Sequence, residues 1–160
     1  MARLEMRPFA TAEAETVAHW AANPQEVWQV TGDEEFPLMR EHVAAWPSEA
    51  DHALTLRRDG DLVAYGEIVI DPVEGDVEIQ HLIVAPDMRH LGVGQAMLSR
   101  LCAFIAGLRA SPEVWTRVSR DNTVALRCAR AVGFEEVVAM SGPRYLWLKK
   151  PLPPVQDCGA

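Results

Sequence analysis

Residues 81–94 have the sequence HLIVAPDMRHLGVG and join an apolar run to the start of an amphipathic segment. Alternating and apolar residues over 77–84 predict a strand, and apolar residues at helical spacing over 92–108 predict a helix. Between them, Gly92 and Gly94 allow positive φ and let a ligand approach the main chain. Because N–H groups of such a loop and of the first helical turn point into one concavity, the junction is a predicted anion site that suits a diphosphate.

Three alternatives use similar glycines. A Walker loop requires a lysine after its last glycine, and none follows Gly94. A dinucleotide fingerprint requires a third glycine, where this chain has Met97. The third alternative is a glycine-rich turn that enters an ordinary helix without binding a ligand. The two glycines by themselves leave this alternative open.

The remaining elements define the fold class. Predicted strands cover 4–7, 52–57, 62–70, 77–84, 114–118, 134–140 and 145–148, and predicted helices cover 12–22, 38–46, 92–108 and 121–132. Residues 24–36 are expected to hold a short helical turn and a loop. Strands joined by tight turns pair antiparallel, whereas β-α-β connections favour parallel pairs. The order therefore predicts an α+β fold of three layers, a mixed, mostly antiparallel sheet flanked by helices.

Composition limits the classes of function. The 160 residues, 49% hydrophobic and 24% charged, predict one globular domain over 1–150, and the prolines at 151–154 predict an extended tail over 151–160. Neither a membrane-spanning run nor a secretory signal is evident, so we expect no membrane contact and a cytoplasmic location. A net charge of −8 argues against nucleic acid as a partner and suits a cationic substrate such as an amine.

Three widely spaced cysteines argue against a disulfide framework or a metal site. Cys102 and Cys128 lie in apolar helical patterns and are expected to be buried thiols, while Cys158 falls in the tail. We therefore predict no metal in this protein.

The context of the loop resembles the GNAT superfamily of N-acetyltransferases. Residues 81–94 are similar to its motif A, a hydrophobic strand and a proline-containing turn followed by [Q/R]-x-x-G-x-[G/A] at the start of a helix. Asn122-x-x-Ala125, followed by AVGF at 131–134, resembles motif B. The element order is similar up to about Lys150. The resemblance implies acetyl-CoA as cofactor and transfer of its acetyl group to a primary amine by direct attack in a ternary complex.

The resemblance also implies a cofactor site. Main-chain groups of the strand end would pair with the pantetheine arm, and N–H groups of the loop would hold the pyrophosphate. Arg89 would add charge or hold the loop's shape, and Asn122 would either reach the cofactor or serve only as a helix N-cap. The strand residues are Leu82, Ile83 and Val84, and the loop residues are Arg89, His90, Leu91, Gly92, Val93, Gly94, Gln95 and Ala96.

Acyl transfer to an amine requires a proton acceptor, a donor for the acyl oxygen and a proton for the leaving thiolate. Glu78 is the first candidate base, near the position of a glutamate in the histone-acetyltransferase branch, and His81 is the second. A regular strand places the two side chains on opposite faces, so both can act directly on the substrate only if the strand is bulged. The oxyanion donor is expected among the N–H groups of 82–84.

One position departs from the family pattern. Many members carry a tyrosine seven residues after the motif-B asparagine, where it can protonate the thiolate, and here that residue is Ala129. Tyr65 or Tyr145 could replace it only if the fold brings one of them near. The departure keeps open a non-catalytic acyl-CoA-binding or regulatory domain, and more distantly an unrelated nucleotide-phosphate binder.

The acceptor is not defined by the sequence. Antibiotics, polyamines, amino acids, ribosomal N-termini and lysine side chains are all compatible with it, so the partner is a small-molecule or protein amine. The resemblance implies that the N-terminal third forms the acceptor wall. Exposed strand edges and the tail permit a homodimer.

Overall fold

A seven-stranded sheet runs through the computed structural model, which describes residues 2–154. Its strands lie in the order β1-β2-β3-β4-β5-β7-β6 and are antiparallel except for the parallel pair β4 and β5. This confirms the predicted α+β class and the mostly antiparallel sheet. The strands are β1 (Leu4–Pro8), β2 (His52–Arg58), β3 (Asp61–Ile70), β4 (Val77–Val84), β5 (Glu113–Ser119), β6 (Glu135–Glu136) and β7 (Tyr145–Pro151).

Five α-helices cover the two faces of the sheet, and a separate buried cluster lies beneath each set. One cluster joins the sheet to two helices through fully buried side chains such as Met97, Leu101 and Ile105. The other joins it to the three N-terminal helices through Val17, Val27 and others. The helices are α1 (Ala14–His19), α2 (Pro24–Thr31) and α3 (Arg40–Ala45) on one face, and α4 (Val93–Leu108) and α5 (Thr123–Val132) on the other.

The segment expected to be mostly loop forms the two-turn helix α2. The Asn23 Oδ1 accepts a hydrogen bond of 2.9 Å from the Glu26 N–H, and Pro24 occupies the first helical position. Gly32, with φ of 76°, ends the helix in the left-handed conformation. An asparagine N-cap, a proline at N1 and a glycine after the last turn are start and stop signals. Asn23-Pro24 therefore begins a helix, whereas the previous helix already ends at His19.

Other predicted boundaries also change. The first predicted helix is a 3₁₀ turn at 11–13 followed by the shorter α1. A 3₁₀ turn at 46–49 follows α3 and includes Pro47, so the proline does not end the helical segment. The predicted strand 134–140 shortens to β6 and a 3₁₀ turn at 138–140.

The C-terminal strand runs one residue beyond the predicted domain boundary. Pro151 is the last residue of β7 and lies opposite Glu113 of β5, so the expectation that it could not continue a sheet is wrong. On the other side of β7, β6 pairs only with Leu148 and Lys149, so the proline lies where one sheet edge is open and its missing N–H leaves no partner unpaired. Leu152 is buried in the core. Residues 155–160, with Cys158, lie outside the described part of the chain.

A bulge interrupts β4. Tyr65 lies opposite Ile83 and Glu67 lies opposite Gln80, so one residue of β3 faces two residues of β4. His81, one of those two, has a φ of 51°. The extra residue shifts the alternation of side chains along the strand.

The shifted alternation determines which side chains face each layer. Ile79 packs with the α4 and α5 layer before the bulge, and Leu82 packs with it after the bulge. Ile83 packs with the N-terminal helices, on the face that also carries Glu78 and His81. The bulge that the sequence analysis required for Glu78 and His81 to share a face is therefore present.

Among residues 2–154, none of the helices has both the length and the apolar character needed to cross a bilayer.

The bulge depends on a glycine in β3. A Cβ added to the buried Gly66 would lie 3.0 Å from Leu101 Cδ1 and 3.3 Å from Leu82 Cδ1. We expect Gly66→Val to lower the free energy of unfolding by about 2 kcal/mol or more, because the side chain overpacks the contact between α4 and the bulge. Gly107→Ala is the control, since its Cβ meets nothing within 4 Å on α4. Urea unfolding measures both, and an unchanged midpoint for Gly66→Val would contradict the packing described.

Candidate active site

A cavity of about 860 Å³ opens where β4 and β5 separate. The two strands pair only at Glu78–Trp115 and Ile79–Thr116, and the Thr116 hydroxyl donates to the Ile79 carbonyl over 3.1 Å at the end of the paired stretch. Beyond this point β4 and β5 form opposite walls, α2 covers one side, and the starts of α4 and α5 close the far end. The parallel pair thus holds a cleft rather than a continuous sheet.

The predicted anion loop forms the far end of this cavity. His90 and Gly92 have φ of 65° and 80°, and α4 begins at Val93. No side chain caps the start of α4, its first turn holds no acidic residue, and a Cβ at Gly92 would meet nothing within 4 Å. By contrast, asparagines cap α2 and α5. The main-chain N–H groups at the start of α4 are therefore free of side-chain caps and suit an anion.

The predicted cofactor residues divide by where their side chains lie. Leu91 is exposed to solvent, Val93 is buried in the core and Ala96 packs against it, so these three offer only main-chain groups. The others line the cavity: Leu82, Ile83, Val84, Arg89, His90, Gly92, Gly94, Gln95 and Asn122.

The Arg89 side chain holds the loop in place. Its Nε donates to the Val84 carbonyl over 3.1 Å, and Nη2 donates to the Trp20 carbonyl over 2.7 Å. Nη1 forms an ion pair with the carboxylate of Glu26 on α2. Of the two roles considered for Arg89, the structure places its guanidinium in the structural one. With this charge matched by Glu26, the loop offers an anion mainly its main-chain N–H groups.

Asn122 occupies a position compatible with both of its predicted roles. Its Oδ1 accepts from the Ala125 N–H over 3.2 Å, which makes it the N-cap of α5, and the residue also lines the cavity.

His81 lies at the opposite end and is held by a buried carboxylate. Its Nδ1 is 2.9 Å from an oxygen of Glu67, whose other oxygen accepts from the Tyr65 hydroxyl. Glu67 is only 1% exposed. The Trp46 indole stacks on the imidazole, with ring centroids 4.2 Å apart and planes 6° from parallel. These contacts fix the ring and direct Nδ1 to Glu67, and within residues 2–154 Nε2 has no hydrogen-bond partner.

Sequence reasoning missed Glu67, Tyr65 and Trp46 as parts of the site. A single carboxylate within the apolar run 62–70 was the available signal, since an ionisable group in a buried strand needs a partner. Burial, followed by the neighbouring Glu67 charge, raises the pKa of Tyr65, so its hydroxyl stays a donor to that carboxylate.

Glu78 lines the same cavity from β4. Burial raises the pKa of its carboxyl above the ordinary value of 4.5, and this effect exceeds the opposing influence of Gln80, Arg117 and His81. A carboxyl group with a raised pKa, next to a fixed imidazole, is an arrangement suited to proton transfer.

No tyrosine of the described chain lines the cavity. Tyr65 is fully buried against Glu67, and Tyr145 stacks with Trp28 outside the lining. Ala129 does line it and adds only a methyl group. Cys128, expected to be buried, is partly exposed on the same wall, and burial raises the pKa of its thiol. Cys102 is buried as expected, with its pKa raised to about 11 by burial.

The raised pKa of Glu78 predicts a pH-dependent stability. Between 4.5 and that raised value the folded state binds more protons than the unfolded state, so stability falls as pH rises through this interval. We expect Glu78→Gln to be more stable than the wild type at pH 7 and to lose this advantage below about pH 4.5. Urea unfolding across this range, with the exposed Glu136→Gln as control, measures the effect. A lower midpoint for Glu78→Gln at neutral pH would show that its charge stabilises the fold.

The comparisons with known proteins agree with this geometry. No curated protein matches the chain by sequence. Solved structures match its fold over nearly the whole chain. A Vibrio cholerae spermidine N-acetyltransferase in complex with CoA and spermine is 13% identical, with a TM-score of 0.75, covering 93% of this chain and 95% of that one.

Two further structures match similarly. The PaiA N-acetyltransferase of Thermoplasma acidophilum in complex with coenzyme A is 17% identical, with a TM-score of 0.70, covering 93% of this chain and 99% of that one. The Escherichia coli ribosomal-protein-S18-alanine N-acetyltransferase is also 17% identical, with a TM-score of 0.70 and 99% coverage of both chains.

A sequence model of the Acetyltransferase (GNAT) family matches residues 14–134, a span that includes the bulged strand, the uncapped start of α4 and the Asn122 cap. This match confirms the resemblance noted in the sequence. The chain belongs to the GNAT acetyltransferase family.

Proposed function

We propose that this protein is an acetyl-CoA-dependent N-acetyltransferase that transfers the acetyl group to a primary amine in a ternary complex. The observation that carries this proposal is a single cavity with two different ends. Uncapped main-chain N–H groups lie at one end, and His81 and Glu78 lie at the other. An anionic cofactor and an acceptor amine can therefore meet in one enclosed space.

The cavity fits the cofactor in size and in chemistry. Its volume of about 860 Å³ is that of a cofactor pocket. The N–H groups of residues 89–95 would hold the pyrophosphate, and the main chain of 82–84 would pair with the pantetheine arm. Asn122 would contact the cofactor from α5. The bound cofactor supplies an acetyl group activated as a thioester.

We assign the proton acceptor to His81. The bulge turns its ring into the cavity, and the hydrogen bond between Nδ1 and Glu67 leaves Nε2 to accept the proton of the amine. Imidazole is the side chain whose ordinary titration falls closest to neutral pH, which suits a general base. Glu78, on the same wall, attracts the ammonium form of the substrate and is the alternative base.

The bulge also provides a candidate hydrogen-bond donor to the acyl oxygen. A bulge removes one residue from the ladder of hydrogen bonds between strands, so main-chain groups near Leu82 are not all paired with β3. An N–H of the 82–84 segment is the proposed donor to the acyl oxygen. The CoA thiolate, whose conjugate acid has an ordinary pKa near 8.5, can leave without the tyrosine that Ala129 replaces.

A non-catalytic acyl-CoA-binding domain is the second candidate. The absence of a tyrosine from the described cavity lining favours it. It predicts binding of acetyl-CoA without turnover on any amine. The cytoplasmic location and the homodimer stay predictions of the sequence.

Cofactor binding is tested by thermal shift with acetyl-CoA, CoA, ATP and NAD. We expect stabilisation by the two CoA species only, because binding to the folded state raises its stability. Gly92→Asp should weaken CoA binding about tenfold or more, since it places a carboxylate at the anion end. Gly75→Asp is a matched control, because φ is 77° there and 80° at Gly92, and neither Cβ meets an atom within 4 Å. Equal stabilisation of both variants would place the anion site elsewhere.

Catalysis is tested by thiol release from acetyl-CoA with a panel of amines. We expect His81→Gln to lower kcat/KM by about 10²-fold. The fall of kcat/KM at acidic pH, which we call the acid limb of the pH profile, should disappear in this variant. Glu67→Gln should have a smaller effect on kcat/KM, because an amide can still hydrogen-bond to Nδ1 and hold the ring. If Glu78→Gln removes the limb and His81→Gln does not, Glu78 is the base. CoA binding without release on any amine would favour the non-catalytic domain.

A further inference from the structure

We propose that the acceptor amine also carries a carboxylate close to its amino group, as an amino acid does, and that Arg117 binds that carboxylate. This inference rests on the proposed function and names the substrate class of the same cavity. It rests on the position of Arg117, on its lack of a counter-ion and on the way aromatic rings hold it.

Arg117 lies at the acceptor end of the cavity. It follows Thr116, which pairs with Ile79, so it stands beside Gln80 on the neighbouring strand and close to the bulge. Val84, where the anion loop begins, is four residues farther along β4, or roughly 13 Å at the rise of a strand. Arg117 is therefore separate from the groups proposed to hold the pyrophosphate.

The guanidinium of Arg117 has no anionic partner in residues 2–154. No carboxylate oxygen of these residues lies within 4.0 Å of it, and none of its N–H groups donates a hydrogen bond to them. The residue is solvent-exposed although it lies in the middle of the sheet. Its N–H donors are thus available to a ligand that enters the cavity.

Aromatic rings hold the side chain without using these donors. The guanidinium carbon lies 4.4 Å from the centroid of Tyr145 and 5.9 Å from that of Trp147. On the other side, a Cβ added to Gly32 at the end of α2 would lie 3.2 Å from Nη2. Cation–π contacts fix the position of a guanidinium and leave its planar fork of N–H groups for a carboxylate.

The other arginines of the cavity lining differ from Arg117. Arg89 is bound to Glu26 and to two carbonyls. Arg127 lies on α5 next to Cys128, whose sulfur would lie 3.7 Å from a Cβ added to Gly94 on α4. Arg117 is therefore the described arginine that an acceptor would meet.

The charges around Arg117 match a zwitterion. Arg117 opposes the burial-induced rise in the pKa of Glu78, so the two charges lie in each other's field. An ammonium drawn to Glu78 and His81 would place a neighbouring carboxylate against the guanidinium, where charge-assisted bonds form. A polyamine would instead bring a second cation against Arg117 in the same space, which is unfavourable.

The kinetic test compares common amino acids with their carboxamides at saturating acetyl-CoA. The amide keeps the amine and side chain but loses the negative charge. We expect the wild type to prefer the acid in kcat/KM by about 10- to 100-fold. Arg117→Gln should bring this ratio close to one by lowering kcat/KM for the acid far more than for the amide, and Arg117→Lys should retain part of the preference. A variant that merely misfolds would lower kcat/KM for the acid and the amide together.

Arg100→Gln is the control, because it removes an exposed positive charge on α4 away from the cavity lining. It should keep the wild-type ratio. Equal turnover of acids and amides by the wild type, acetylation of polyamines or alkylamines in preference to any amino acid, or an unchanged ratio in Arg117→Gln would each overturn the inference while leaving N-acetyl transfer intact.

A binding measurement separates this inference from the proposed function. Calorimetric titration of the CoA complex with N-acetyl amino acids should show binding that their amides and the Arg117→Gln variant lack. Such binding supports the carboxylate site even without turnover, whereas its absence from a protein that acetylates amines overturns the inference alone. Failure to bind acetyl-CoA at all would overturn the proposed function.

Discussion

The bulge in β4 opposite Gly66 is the constraint on which the rest of the site depends. One extra residue lets Leu82 continue in the core with α4 while Glu78 and His81 share the opposite face. Without it, strand alternation would turn one of the two candidate bases into the layer of α4. Gly66 makes the bulge compatible with close packing, because Leu101 and Leu82 occupy the space that a side chain would need. Packing against α4 on one face of the sheet thus determines the positions of Glu78 and His81 on the other face.

Burial of the Glu67 carboxylate has the largest desolvation cost in this arrangement, and its hydrogen-bond partners offset that cost. A carboxylate at 1% exposure loses most of its hydration, and only good hydrogen bonds offset that loss. Tyr65 and His81 each supply one. A hydrophobic residue would serve stability at least as well in many buried sites, so orientation of His81 is the physical use of this carboxylate. The stacked Trp46 then restricts the ring in its remaining direction.

The two ends of the cavity offer different groups to a ligand. At the end near α4 these are main-chain N–H groups, because Arg89 of the loop is already paired with Glu26 and nearby carbonyls. At the other end, side chains from β4 and β5 face the space.

The sequence by itself determined the local features. Periodicity marked β4 and α4, and the glycines between them predicted an anion site. Asn122 was one candidate for the cap of α5, and its partner Ala125 lies only three residues away. Asn23, Pro24 and Gly32 carried the signals for α2 equally well, and the helix was missed by underestimating them. Each of these depends on neighbours along the chain.

Tertiary structure alone decided how distant residues meet. Arg89 and Glu26 are separated by 63 positions, and His81 and Glu67 by 14. The bulge is a property of two strands in register, and the aromatic support of Arg117 comes from β7, so neither is visible in any single segment. Periodicity reports which face of an element is apolar, but not which distant side chains that face will meet. For this reason residues 81–94 were enough to predict a cofactor site at the start of α4, whereas the grouping of His81, Glu67 and Arg117 required the fold.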